Sequence, residues 1–179
     1  MRYISTRGEA PSLGFIDVTL AGLARDGGLY VPETWPTLDA ATIAGFAGRP
    51  YAEVACDVIS RFAADELEGG ALARMAREAY DAFRHPAVVP LAQLAPNTFV
   101  LELFHGPTAA FKDFGARFLA ACFARLRAGA ERRLTILVAT SGDTGGAVAA
   151  AFHGRPGVRG GVARRPGQPD RPAPAQPFE

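Results

Sequence analysis

Residues Leu134-Thr135-Ile136-Leu137-Val138-Ala139 form an unbroken apolar run, followed closely by the turn Ser141-Gly142-Asp143-Thr144-Gly145-Gly146. A strand without polar alternation belongs in a sheet covered on both faces. The glycine-rich turn leads into a helix read over residues 147–152. Upstream, residues 98–104 have the aromatic and branched composition of a strand. A loop, His105-Gly106-Pro107-Thr108, follows it and opens a helix predicted over 109–128. There Phe111, Phe114, Phe118, Leu119, Cys122, Phe123 and Leu126 recur near the 3.6-residue period. Strand, helix, strand and helix at these lengths read as a βαβ unit, hence an α/β fold with a parallel sheet and right-handed crossovers.

The first 96 residues read differently, as helices with a few short strands. Residues 3–6 and 29–32 are extended candidates. A helix over 15–24, with Phe15, Val18, Leu20 and Leu23 as core positions, is stopped by Asp26-Gly27-Gly28. Residues 51–64 place Val54, Val58, Ile59 and Phe62 on one helical face, and 71–83 do the same with Leu72, Met75, Ala79 and Phe83. Both stripes read as ordinary core. Pro86, Pro90 and Pro96 then break the chain, marking a boundary between a domain over 1–96 and the first βαβ part of a second over 97–157. From Arg155 onward the chain holds six of its 14 prolines and five arginines, with Val158, Val162 and Phe178 as its sizeable apolar residues. Such a stretch buries too little surface to offset its ordering entropy. Residues 158–179 are therefore expected to be a disordered tail.

Composition narrows the function classes. The 179 residues carry 19 basic and 18 acidic side chains, a net charge of +1 that argues against a nucleic-acid arm or a polybasic membrane anchor. No apolar run reaches the ~20 residues that span a bilayer, and the opening residues lack a secretory signal. Cys56 and Cys122 lie far apart in helical patterns, which suggests reduced thiols in the cytoplasm. His85, His105 and His153 are scattered and give no metal-ligand spacing. His105 either lines a site or only holds its own backbone.

Of the 19 basic residues, 18 are arginine and one, Lys112, is lysine. Arginine replaces lysine almost anywhere as solvated charge, but not where a primary amine must lose its proton and attack a carbonyl. Lys112 falls near the start of the 109–128 helix. Flanking by Phe111 and Phe114 would desolvate its ammonium, and the positive end of the helix dipole disfavours a cation. Such an amine suits a Schiff base with an aldehyde cofactor. The plain alternative is a lysine extending to solvent. Residues 141–146 form a second candidate site, offering backbone N–H groups to an anion, with Ser141 and Thr144 adding hydroxyl donors. Asp143 is the odd member, since a carboxylate repels an anion unless it points elsewhere. A merely capped helix is the alternative there.

Taken together, these residues resemble the threonine synthase family of fold type II pyridoxal-phosphate enzymes. The segment Leu101-Glu102-Leu103-Phe104-His105-Gly106-Pro107-Thr108-Ala109-Ala110-Phe111-Lys112-Asp113-Phe114-Gly115 resembles the cofactor-lysine segment of that family, with Lys112 on the Schiff-base lysine. Ala139-Thr140-Ser141-Gly142-Asp143-Thr144-Gly145 is similar to the loop facing the cofactor and the substrate's anionic groups. Tyr3-Ile4-Ser5-Thr6-Arg7-Gly8 and the segment from Leu20 to Pro32 look like the amino-terminal domain. The resemblance implies a threonine synthase-like amino-terminal domain followed by the start of a parallel-sheet domain. It implies pyridoxal 5'-phosphate as cofactor and a carbon–oxygen lyase acting on a phosphate ester, turning O-phosphohomoserine and water into threonine and phosphate. Lys112 would be the covalent anchor and acid/base, Asp143 a second cofactor-binding residue, and Ser141, Gly142 and Thr144 the substrate-binding ones. A related dehydratase or cysteine synthase is disfavoured by the Asp26-Gly27-Gly28-Leu29-Tyr30-Val31-Pro32 segment.

Where the family continues into another core strand, this chain reads Gly160-Gly161-Val162-Ala163-Arg164-Arg165-Pro166. The expectation is a frameshift or premature stop in a GC-rich gene, leaving an incomplete and catalytically silent chain. The encoding DNA should then show a strand-like continuation in one of its other two frames; its absence from both would count against a frameshift.

Overall fold

The structure is a computed structural model that describes residues 1–63, 66–67, 69–131, 133–139, 142–155 and 157–163. Twelve elements follow in order among them: β1 (Tyr3–Ser5), α1 (Phe15–Ala21), β2 (Tyr30–Pro32), α2 (Ala40–Ala44), α3 (Tyr51–Ala63), α4 (Gly69–Tyr80), β3 (Leu91–Ala95), β4 (Thr98–Leu101), α5 (Asp113–Leu126), β5 (Leu134–Ala139), α6 (Asp143–Phe152) and β6 (Val158–Ala163). The fold is mixed α/β. The described strands form three separate two-stranded sheets.

The core is built around α4 and α5. On α4, Leu72, Met75, Ala76 and Ala79 are all buried, a spacing of three, four and seven that puts them on one face. Ala76 and Ala79 are small, so the neighbouring helices can approach closely. Tyr80, Phe83 and Val88 extend this cluster, and Tyr51 and Cys56 from α3 and Phe114 and Phe118 from α5 pack against it. Phe83 and Phe114 have ring centroids 4.6 Å apart, while Tyr51 meets Tyr80 edge-on at 5.0 Å. A second cluster joins Leu72 and Met75 to Ala121 and Cys122. On the other side of α5, Ala120 and Phe123 bury against Ala151 and Phe152 of α6, with Leu134, Ile136 and Val158 packed beside them.

The amino-terminal strands β1 and β2 pair antiparallel, Ile4 opposite Val31. Asp26 ties them together: its carboxylate accepts from the Ser5 hydroxyl, the Gly28 N–H and the Glu9 N–H. A Cβ on Gly28 would lie 2.2 Å from the Ser5 Oγ, which is why glycine stands there. The Tyr3 hydroxyl donates to the Phe62 carbonyl and fastens this unit to α3.

Several sequence expectations are corrected. Helix α1 ends at Gly22, whose φ is 70°, instead of running to Ala24. Leu20, still within α1, and Leu23 are both exposed, Leu23 having left the helix to bridge Leu29. Helix α2 was not foreseen; the Asp39 carboxylate caps it by accepting from the Thr42 N–H at 2.7 Å. The strand expected over 98–104 is the shorter β4, and its neighbour is β3 in an antiparallel hairpin, not β5 in a parallel sheet. The turn works because Asn97 takes up φ 60°, a left-handed conformation that asparagine tolerates. That hairpin spans the proposed boundary at residue 96. The parallel unit lies one step later, as β5–α6–β6, with Leu134 opposite Val158 and Ala139 opposite Ala163. Residues 158–163, expected in the disordered tail, therefore form a strand. Ladder pairing uses backbone N–H and C=O groups that Gly160 and Gly161 possess like any residue, and Val158 packs on the α5–α6 cluster. The remainder of the expected tail, 164–179, lies outside the described residues.

No helix among the described residues is long and apolar enough to cross a membrane. Cys56 and Cys122 are both free thiols. Burial pushes the Cys122 thiol up from its ordinary 9.0 to about 11. The unfolded chain thus loses this proton first, so stability is expected to fall as pH rises from about 9 toward 11. Urea midpoints measured across that window should decline less steeply in Cys122→Ala. Equal slopes would rule out the buried thiol as the cause.

Candidate active site

The loop between β4 and α5 is held at several points. The His105 Nε2 lies 2.7 Å from the Glu102 Oε2, and its ring packs on His85 at 5.0 Å. The Arg84 N–H donates to the His105 carbonyl. His105 therefore has partners within its own loop and in the preceding segment, in keeping with a structural duty.

Beyond it, the helix expected from residue 109 starts four residues later. Ala109 sits at φ 58°, which an L-residue adopts only under strain and which interrupts the helical path. Asp113 opens α5 instead. It is 1% exposed, and its two carboxylate oxygens accept separately from the Thr108 N–H and the Thr108 hydroxyl, each at 2.8 Å. A Cβ on Gly106 would lie 2.4 Å from the Asp113 Oδ2, so the Gly-Pro-Thr sequence leaves room for this carboxylate. Lys112 occupies the N-cap position, and its side chain makes no capping bond. Its backbone is already helical, with φ −64° and ψ −16°, so the extended geometry from which a side chain caps a helix is absent, and the positive end of the helix dipole makes a cation there run against local preference.

The Lys112 amine reaches the start of α6. Its Nζ is 3.1 Å from the Asp143 Oδ2 and 4.5 Å from the centre of the Phe111 ring. The lysine side chain is 32% exposed and that of Asp143 63%. The expected pair of flanking phenylalanines is corrected on one side: Phe114 turns inward against Tyr51, Tyr80 and Phe83. Phe111 alone lies under the amine, and it is exposed. The partner that sequence reasoning left unexplained supplies the other contact. The Lys112 ammonium, by hydrogen bond and by charge, holds the Asp143 carboxyl below the usual carboxylate range.

Helix α6 begins at Asp143, four residues before its expected start, with Gly142 as its N-cap. The first-turn position favours the Asp143 carboxylate, because unpaired N–H groups gather there. Thr144 is half-buried in the same turn, and Gly142 is exposed. Ser141 lies outside the described residues. The structure thus joins Lys112 to Asp143 across 31 residues of sequence, with Gly142 and Thr144 adjoining that contact through the chain. Asp113 was missed as a site-building residue. Its signal was present in the Gly106-Pro107-Thr108 turn five residues ahead of it.

Comparison with known proteins decides the lineage. The family described as Threonine synthase N terminus matches residues 2–80. The threonine synthase of Pseudomonas aeruginosa is 51% identical over 147 residues, covering 82% of this chain and 31% of that protein. A crystal structure of PLP-bound threonine synthase from Brucella melitensis superposes with a TM-score of 0.88 at 51% identity, covering 93% of this chain and 36% of that one. The yeast threonine synthase structure gives 0.84 at 32% identity, covering 93% and 36%.

The chain carries the amino-terminal portion of the threonine synthase family. It spans about a third of the length of the relatives it matches.

Within this threonine synthase portion, Lys112→Ala is expected to let Asp143 titrate at higher pH, since the cation that stabilises its carboxylate is gone. Side-chain NMR titration of Asp143 in both forms measures this. An unchanged midpoint would mean that the pair does not form in solution.

Proposed function

We propose that this chain supplies the cofactor lysine and the substrate-facing helix start for pyridoxal 5'-phosphate-dependent threonine synthesis in the cytoplasm, from O-phosphohomoserine and water. The observation that carries the reading is the Lys112–Asp143 contact at 3.1 Å, in a chain with one lysine and a threonine synthase lineage. The donor set suits the cofactor: the one lysine amine for its aldehyde, beside a helix N-terminus that favours anions. When bound, the cofactor supplies an electron sink for carbanions of the substrate.

The chain's own residues divide the remaining work. Lys112 is the covalent anchor and, once released, the group that carries protons between substrate carbons. As an ammonium it rests against Asp143, and it must give up a proton before its nitrogen can attack. Asp143 holds that nitrogen at the start of α6 and serves as a second cofactor-binding group. Ser141, Gly142 and Thr144 bind the substrate's anionic groups through backbone N–H and hydroxyl donors. The two domains, over 1–96 and 97–157, would place the lysine loop between the helical core and the parallel sheet.

Pyridoxal phosphate added to the chain, followed by borohydride and peptide mass mapping, is expected to label Lys112. A new absorbance should appear before reduction and fall in Lys112→Ala to the level that the Met1 amine contributes. Label confined to the Met1 amine, or an absorbance undiminished in the variant, would overturn the reading. The isolated chain, a third of the length of its relatives, is expected to release no phosphate from O-phosphohomoserine. Turnover would show that it is not catalytically silent.

A further inference from the structure

We propose that Asp113 is a positioning residue for Lys112: its buried carboxylate closes the Thr108–Asp113 loop and fixes where the neighbouring amine projects. The inference rests on the reading of Lys112 as the aldehyde-capturing group.

The loop contains the reasons. Lys112 stands at a position where a capping side chain ordinarily fastens the helix start, yet it makes no such bond. The fastening comes from the next residue. Asp113 is the one buried acidic or basic side chain among the described residues, and a carboxylate taken out of water must be met by hydrogen bonds. Both bonds come from Thr108, one from its N–H and one from its hydroxyl, each to a different oxygen. The ring so closed encloses Ala109 at φ 58°, buried Ala110, Phe111 and Lys112 itself. Gly106 lies over it, too close for any side chain. On its other side Lys112 continues into α5, its carbonyl accepting from the Ala116 N–H. The lysine backbone is therefore held from both directions, and the amine at its end arrives beside Asp143 and Phe111. Were the strap lost, the strained Ala109 conformation would relax and carry Lys112 with it.

The single lysine makes the test clean, because the Met1 α-amine is the other primary amine and serves as an internal reference. In the labelling reaction the Lys112 nitrogen forms a C=N bond to the aldehyde carbon of pyridoxal phosphate as the carbonyl oxygen leaves in water. Borohydride then adds hydride to that carbon, fixing a secondary amine. The readout is the ratio of Lys112 to Met1 label in the full 179-residue chain, with thermal midpoints and circular dichroism recorded alongside. Asparagine keeps the shape of Asp113 but turns an NH2 toward one of the two donors. Asp113→Asn is expected to lower the ratio about tenfold, in line with the steep cost of misplacing a reacting group. Thr108→Val should lower it as well, while Thr108→Ser, which keeps both donors, should restore it. These two variants carry the test if Asp113→Asn does not fold. A ratio that stays at or above the parent value in Thr108→Val or in folded Asp113→Asn, with only the thermal midpoint reduced, would overturn the positioning role. A parent chain with no preference for Lys112 over Met1 would instead overturn the reading of the lysine itself.

Discussion

Helix α5 is packed on two sides, and most of the structure hangs on that. Phe114, Phe118, Ala121 and Cys122 press against the helices before it, while Ala120 and Phe123 press against α6 and the β5–β6 pair. Its orientation is settled by packing on both sides, where close-packed side chains leave little slack. The residue placed just before its first turn inherits that rigidity. Lys112 thus projects from a support joined to both halves of the chain, and the aldehyde-capturing role proposed for it would gain from so fixed a backbone.

The same arrangement accounts for the unusual local chemistry. A lysine at a helix start and an alanine at positive φ both run against intrinsic preference. A buried aspartate bonded to one threonine compensates by closing the loop. At the far end of the lysine, a second aspartate lies in the first turn of α6, where its charge is welcome. Two carboxylates therefore bracket one amine with different duties: Asp113 through the backbone and Asp143 through the charged nitrogen. Their burial separates them, since one is enclosed and the other largely in water.

Parts of this were legible from residue order. The α4 stripe appears where the helical period puts it, and Leu72, Met75, Ala79 and Phe83 are all buried. On α3 the expected face is rotated: Tyr51, Ala52, Ala55, Cys56 and Ile59 pack on the core clusters, so of Val54, Val58, Ile59 and Phe62 it is Ile59 that joins them. Lys112 stood out because arginine cannot take over the work of a neutral amine. Other parts were not legible. The pairing of β4 with β3 turned on an asparagine at a hairpin, which competes with any reading of residues 98–104 as part of a parallel sheet. Leu23 looked like core because periodicity does not report that Gly22 ends the helix first. Asp113 was passed over because burial of an acidic residue is a property of its surroundings.

The amino-acid order by itself determined the kind and place of the longer helices and of β5, the buried face of α4 and the type of chemistry available. Those depend on period, propensity and functional groups, all of which are local. The tertiary structure decided which strand pairs with which, that residues 158–163 join a sheet, that Phe114 turns away from the lysine, and that Asp143 turns toward it. Such choices depend on partners distant in sequence, whose combined burial and hydrogen bonding outweigh local preference.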